Sequence, residues 1–239
     1  MENWKKAFEL SLLELKESTT GFFILLFFYL IITLYTIFSF PSYLENNFLG
    51  VDSLFIIAFT VAPLWSRPKV FQMQTKQNGY IVPSVVMLQH LPIPKDVIIK
   101  SRIIIHYVYT IPVQFILLLS LYLFSGPLQD MMTFGTYIVF MIIWFSFGIY
   151  VGGMFLASDM GDRTPPFKAI VYTIITIILA IFLMASMIIL TGFGIVHWTL
   201  IFAQKWPLVS AMISIGLAIL GYVYWYRYMK KQLRTLDYM

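Results

Sequence analysis

Long apolar segments are the feature that most constrains what this chain can fold into. A helix that crosses a bilayer needs about 20 mostly apolar residues. Six segments meet or approach that length: 21–40, 50–66, 103–124, 134–157, 169–192 and 207–226. The chain is 60% hydrophobic and only 11% charged, less than half of the roughly 25% that soluble domains carry. We therefore predict an all-α integral membrane protein with six transmembrane helices in a single domain.

The lysines and arginines predict how these segments are oriented. Fifteen of the sixteen lie before the first segment, between the second and third, between the fourth and fifth, or after the sixth, and only Lys205 falls in a loop of the opposite set. By the positive-inside rule both termini then lie in the cytoplasm, including the tail at 227–239. This placement explains the net charge of +5 without a nucleic-acid partner.

The stretch before the first span predicts an amphipathic helix within residues 1–19. Trp4, Phe8, Leu12 and Leu15 recur at helical spacing and form one apolar stripe, which suits a helix lying in the membrane interface. Two interpretations remain open. The helix is either an elbow that steers the first span or an ordinary juxtamembrane helix.

The cytoplasmic stretch at 67–102 predicts a short helix that stops at a proline. Asn78-Gly79 marks a turn, and Pro83 can occupy the first helical position. The residues SVVMLQHL follow, and Pro92 disfavours helical geometry at the residue before it.

A second helix is expected to begin at Pro94. Asp96 then lies in its first turn, near the positive end of the helix dipole, and the helix continues through Lys100 and Arg102 into the third span. The prediction is a short helix held by a proline corner on a transmembrane helix. The alternative is a simple return turn of the chain.

The motifs of several enzyme classes are missing from the sequence. There is no phosphate-binding loop, no metal-binding or serine-nucleophile motif, and no cysteine. His90, His106 and His197 are isolated, so we expect no metal, cofactor or catalytic residue in this chain. Asp52 is expected near the outer end of the second span, within reach of water.

The span interiors contain no Asp, Glu, Lys or Arg, which disfavours an ion-coupled carrier because such carriers usually use intramembrane charges. An ion-coupled carrier and a non-transporting membrane assembly partner remain as alternatives. Gly148, Gly152 and Gly153 place small residues on one part of the fourth span and predict close helix packing or a subunit interface.

The loop residues resemble those of the ABC-2 type permeases. In VVMLQHLPIPKDVIIKSRII, the Leu91-Pro92-Ile93 step and Lys100 or Arg102 stand where that family has Leu-Pro-hydrophobic and a basic residue entering span three. Gln77-Asn78-Gly79-Tyr80 replaces the family's usual Glu-Gly-Thr.

This resemblance implies the permease subunit of an ATP-driven exporter in a bacterial plasma membrane. Two copies of a separate ATPase would bind ATP and magnesium, and a second permease subunit, identical or paralogous, would complete the pathway. The small outer loops resemble those of permeases that export amphipathic and antimicrobial peptides. The residues that would couple the permease to the ATPase are Val85, Leu88, Gln89, His90, Leu91, Pro92, Pro94, Lys95 and Asp96.

Overall fold

The computed structural model of the chain describes residues 2–46, 49–60, 67–76, 79–161 and 164–235, and most of these are helical. The helices are α1 (Glu2–Glu17), α2 (Thr19–Asn46), α3 (Leu49–Thr60), α4 (Pro83–Gln89), α5 (Lys95–Phe124), α6 (Gly126–Met131), α7 (Phe134–Ser158), α8 (Pro166–Thr191), α9 (Ile195–Lys205) and α10 (Pro207–Thr235). A 3-10 turn at Lys69–Phe71 precedes two short antiparallel strands, β1 (Gln74–Lys76) and β2 (Gly79–Ile81).

Five of these helices are long and apolar enough to cross a membrane: α2, α5, α7, α8 and α10. They confirm the prediction of an all-α, multi-pass membrane protein. Helix α3 has 12 residues, or about 18 Å at the usual rise, against a hydrocarbon thickness of about 30 Å. The predicted second span continues to residue 66, and residues 61–66, with Trp65, lie outside the described part. The second of the six predicted spans therefore stays a prediction.

The molecule has two ends, which are named here by their charge. The basic end contains α1, residues 67–102 as far as they are described, the end of α7 with the start of α8, and the last turns of α10. The opposite end contains the end of α2, the start of α3, α6 and α9. Of the described lysines and arginines, only Lys205 lies at the opposite end.

An aromatic cluster forms the centre of the helix bundle. Phe55 and Phe59 of α3 contact Trp144 of α7, with ring centroids 4.9 and 5.3 Å apart, and Phe140 packs edge-on against Phe55. All four side chains are buried. Helix α3 is thereby enclosed by α2, α7 and α9, although it is short.

A buried carboxylate attaches α9 to the bundle at the opposite end. Asp52 accepts hydrogen bonds from the Tyr43 hydroxyl and the Val196 backbone amide, both at 2.8 Å, and the His197 amide donates to the Tyr43 oxygen. A carboxylate suits the free amides in the first turn of a helix. The expectation that water reaches Asp52 is wrong, because the residue has no exposed surface.

The glycines of α7 lie against other helices of the same chain. A Cβ atom at Gly148 would lie 3.4 Å from Gln114 and Phe59, and one at Gly152 would lie 2.6 Å from His106 Nε2. A Cβ at Gly153 would overlap the indole of Trp225. The structure thus gives these three residues an intramolecular role, joining α7 to α3, α5 and α10.

Replacing Gly153 by alanine should destabilise the bundle, because the new methyl group meets a side chain that cannot move away freely. The Trp225 indole is held by a 2.9 Å hydrogen bond to the Tyr150 carbonyl. We expect Gly153→Ala to lower the free energy of unfolding by about 1–3 kcal/mol, the usual cost of overpacking, measured as a lower melting temperature of the purified protein.

Gly216→Ala is the matched control, since Gly216 is also helical and an added Cβ would meet nothing within 4 Å. It should be neutral or stabilising by up to about 1 kcal/mol through helix propensity. Equal melting temperatures for the two variants would contradict the proposed packing of α7 on α10.

Candidate functional site

The corner between α4 and α5 has the form that its prolines predict. Pro83 lies in the first turn of α4, and the helix ends at Gln89, before Pro92. Pro94 then precedes α5, which runs without interruption for 30 residues to Phe124. Both predictions, of a short helix and of a long helix entering the third span, are confirmed.

One face of α4 belongs to the core of the basic end. Val85 and Leu88 are 1% and 8% exposed and pack in a cluster with residues of α5, α7 and α10. That cluster includes Ile98, Ile99, Ile103, Leu156, Met229 and Leu233. Val85 and Leu88 therefore hold α4 on the bundle, so they are not open to a partner protein.

The other face of this corner is exposed and apolar. Met87 is 63% exposed and Leu91 is 48% exposed, and His90 and Pro92 are also exposed. We call Met87, His90, Leu91 and Pro92 the tip. Methionine adapts its shape readily and is common at binding surfaces, so the tip can accept a partner without a change in the core.

The remaining predicted coupling residues have other placements. Gln89 is partly buried and Pro94 is exposed. The Lys95 ammonium donates to the Leu233 carbonyl of α10 at 2.8 Å. Lys95 therefore ties the start of α5 to the last turns of α10.

Asp96 joins the first turn of α5 to two further helices. It accepts hydrogen bonds from Lys100 at 2.6 Å, from Asn3 of α1 at 3.3 Å, and from the Tyr226 hydroxyl of α10. Partial burial acts to raise the pKa of Asp96, but the hydrogen bonds from Lys100 and Tyr226 outweigh it and lower this pKa below its ordinary value. The carboxylate stays charged and keeps the three helices together.

Four buried charged side chains lie directly behind the corner: Glu14, Arg67, Arg102 and Asp159. We call them the ion cluster. Arg102 of α5 forms an ion pair with Glu14 of α1, and its second nitrogen donates to the Ser84 hydroxyl of α4 at 3.0 Å. Arg102 is 2% exposed and Glu14 is 3% exposed. A single guanidinium thus connects α1, α4 and α5.

The second arginine extends the ion cluster to the end of α7. Arg67 makes two hydrogen bonds to the Asp159 carboxylate, at 2.7 and 3.3 Å, and its guanidinium lies 3.7 Å from Glu14. Two positive and two negative groups cancel, which is how buried charges are normally tolerated. Burial raises the pKa of Glu14, and the neighbouring Arg102 and Arg67 act in the opposite direction.

The buried face of α1 is not the apolar one. Trp4, Phe8 and Leu12 point outward and are 43–51% exposed, as expected of a stripe that faces lipid, but Leu15, the fourth predicted residue of that stripe, is partly buried against the core. The buried residues of α1 and its end are Ala7, Ser11, Glu14 and Ser18. Sequence reasoning missed this second stripe, although its spacing of four, three and four residues was available as a signal.

Comparison of the sequence with protein-family models, with curated proteins and with solved structures finds no match in any of the three. The interpretation of the candidate site therefore rests on its geometry alone, and the resemblance to the ABC-2 permeases stays a prediction.

Removing one side of the Glu14–Arg102 pair should destabilise the basic end, since it leaves a buried charge without its closest partner. We expect Arg102→Met to cost about 3–5 kcal/mol of unfolding free energy, read from the melting temperature of the purified protein. The double variant Glu14→Met with Arg102→Met should cost less than the sum of the two single variants.

Lys6→Met is the control, because it breaks the Lys6–Glu2 pair, which is exposed to solvent. Exposed pairs contribute little to stability, so its melting temperature should match that of the wild type. Additive losses in the Glu14 and Arg102 double variant would show that the two side chains are not coupled.

Proposed function

We propose that this chain is the permease subunit of an ATP-driven exporter of the ABC-2 type. Separate ATPase subunits would bind ATP and magnesium, and this chain would provide the transmembrane part. The observation that supports the proposal most strongly is the tip, which exposes Met87 and Leu91 on a helix corner that continues directly into a transmembrane helix.

The contacts of the corner explain how a push on the tip would reach the membrane. Pro92 and Pro94 restrict the backbone angles between α4 and α5, and the buried face of α4 packs on the first turns of α5. Ser84 is also bonded to Arg102. A displacement of α4 would therefore be passed to α5 as a movement of one body, with little bending at the corner.

The ion cluster would carry the same displacement to other helices. Arg102 holds Glu14 of α1, and Arg67 holds Asp159 at the end of α7. One stroke of the ATPase at the tip would thus act on α1, α5 and α7 together. This arrangement suits a subunit that receives mechanical work from outside and contains no nucleotide-binding motif in its own sequence.

The same proposal includes the partners and the orientation. Two permease subunits, identical or paralogous, would pair with two ATPase subunits, and the basic end would face the cytoplasm of a bacterial cell. The exported molecules would be amphipathic or antimicrobial peptides, on the basis of the resemblance of the small outer loops to those of peptide exporters.

Charged residues at the tip should abolish the association with the ATPase without unfolding the permease. We expect the double variant Met87→Glu with Leu91→Glu to insert and melt as the wild type does, since both side chains are exposed. Its affinity for a purified ABC-type ATPase from the same genome should fall at least tenfold. In proteoliposomes, the variant should no longer stimulate ATP hydrolysis by that ATPase.

Met87→Leu with Leu91→Met is the control and should retain binding, because it keeps the tip apolar. Leu88 is unsuitable for this test, since a charge there would enter the core of the basic end. If the glutamate variant bound the ATPase with wild-type affinity and stimulated it equally, the tip would not be the coupling surface.

A further inference from the structure

A long groove opens on the membrane-facing surface between α2 and α5. Its volume is about 610 Å³, within the range of sites that bind small molecules. Its walls are almost entirely apolar, with Leu30 and Phe38 on the α2 side and Val113 and Ile116 on the α5 side. The groove lies apart from the tip and from the ion cluster.

The two helices that form the groove are joined below it, toward the basic end. Tyr109 donates a hydrogen bond to the Ser18 carbonyl at 3.0 Å and packs edge-on against Phe22. Further from the basic end, the Tyr29 hydroxyl of α2 and the Gln114 side-chain amide of α5 both donate hydrogen bonds to the Ala58 carbonyl of α3. These contacts make the groove a cleft with a fixed floor.

The hydroxyl of Thr33, in this apolar groove, is buried and has no hydrogen-bond partner among the described residues. Thr33 lines the groove and is 7% exposed, yet its Oγ1 makes no hydrogen bond to any of the described residues. Other threonines of the long helices donate to the carbonyl four residues earlier, namely Thr36, Thr110, Thr173 and Thr191. A buried polar group left unpaired is unfavourable, so the Thr33 hydroxyl indicates that the groove has a polar contact to make.

The depth of Thr33 limits what can make that contact. Thr33 precedes the end of the predicted 21–40 span by seven residues, or about 10 Å at the helical rise. The headgroup and ester oxygens of a phospholipid stay at the membrane interface and do not reach this depth. A plain hydrocarbon chain would fill the groove but leave the hydroxyl unpaired.

We propose that the groove between α2 and α5 binds an elongated, lipid-like molecule with a hydroxyl or carbonyl oxygen inside its apolar body. The Thr33 hydroxyl forms a hydrogen bond with this oxygen, and Val113 and Ile116 contact the chain on either side of it. Ser120 of α5 also lines the groove, six residues beyond Gln114. The inference does not depend on the proposed export function.

A matched pair of fatty acids tests the site: hydroxystearate with its hydroxyl near mid-chain, and stearate. Both are titrated against the purified full chain in nanodiscs, and bound molecules are counted by native mass spectrometry. The wild type should bind hydroxystearate about threefold more tightly, which is the average gain from one hydrogen bond inside a membrane protein.

Two threonine variants separate the hydrogen bond from the shape of the groove. Thr33→Val should bind both fatty acids equally, while Thr36→Val should keep the wild-type preference, because the Thr36 hydroxyl is already bonded to the Ile32 carbonyl. Ile116→Trp, which narrows the groove from its exposed rim, should weaken both. Unchanged melting temperatures show that each variant is folded.

Three results would overturn the proposal. Equal binding of the two fatty acids by the wild type would show an ordinary hydrocarbon groove. A preference that survives Thr33→Val would assign the contact to another group. Binding of neither fatty acid would show that the groove is closed in the membrane, by phospholipid or by another helix.

Discussion

The structure of the basic end depends on the burial of Glu14 between two arginines. An isolated buried carboxylate is strongly unfavourable, so Glu14 is acceptable in the core only because Arg102 and Arg67 are both beside it. Each arginine in turn needs its other partner, Ser84 for Arg102 and Asp159 for Arg67. The N-terminal helix, the corner and the end of α7 must therefore come together for any one of them to be stable.

This mutual dependence gives the proposed coupling its physical basis. The basic end combines an apolar cluster, hydrogen bonds around Asp96 and a neutral set of buried charges, all of which resist relative movement of α1, α4 and α5. Helix α8 is packed far less tightly, since Met184 is its one buried residue. A tightly packed end joined to long apolar helices is the arrangement that the proposed permease would require.

The sequence predicts the helices well because their signals are local. Apolar segment length gave the five long helices, and Pro83, Pro92 and Pro94 gave the ends of α4 and the start of α5. Tertiary partners were not predictable in this way. Glu14 and Arg67 are distant in sequence from Arg102 and Asp159, and nothing nearby in the chain indicates which charges will pair. The same limit explains Asp52, because α9, which covers it, begins more than 140 residues further along the chain.

The predicted coupling set shows this division between local and tertiary information most clearly. The sequence located the corner, but the predicted set includes Val85 and Leu88, which face the core, and leaves out Met87, which is exposed beside Leu91. That distinction depends on which side of a seven-residue helix meets α5. The surface available to a partner, the tip, is therefore smaller than the predicted set of nine residues.

The central claim, that the ion cluster clamps α1 to the corner, can be tested by a distance measurement between two spin labels. The chain contains no cysteine, so cysteines introduced at the exposed positions Leu13 of α1 and Met87 of α4 would carry the labels alone. Pulsed electron paramagnetic resonance should give one narrow distance distribution, and adding Glu14→Gln should broaden or shift it, because the neutral amide cannot balance the two arginines. A distribution that Glu14→Gln leaves unchanged would contradict the account.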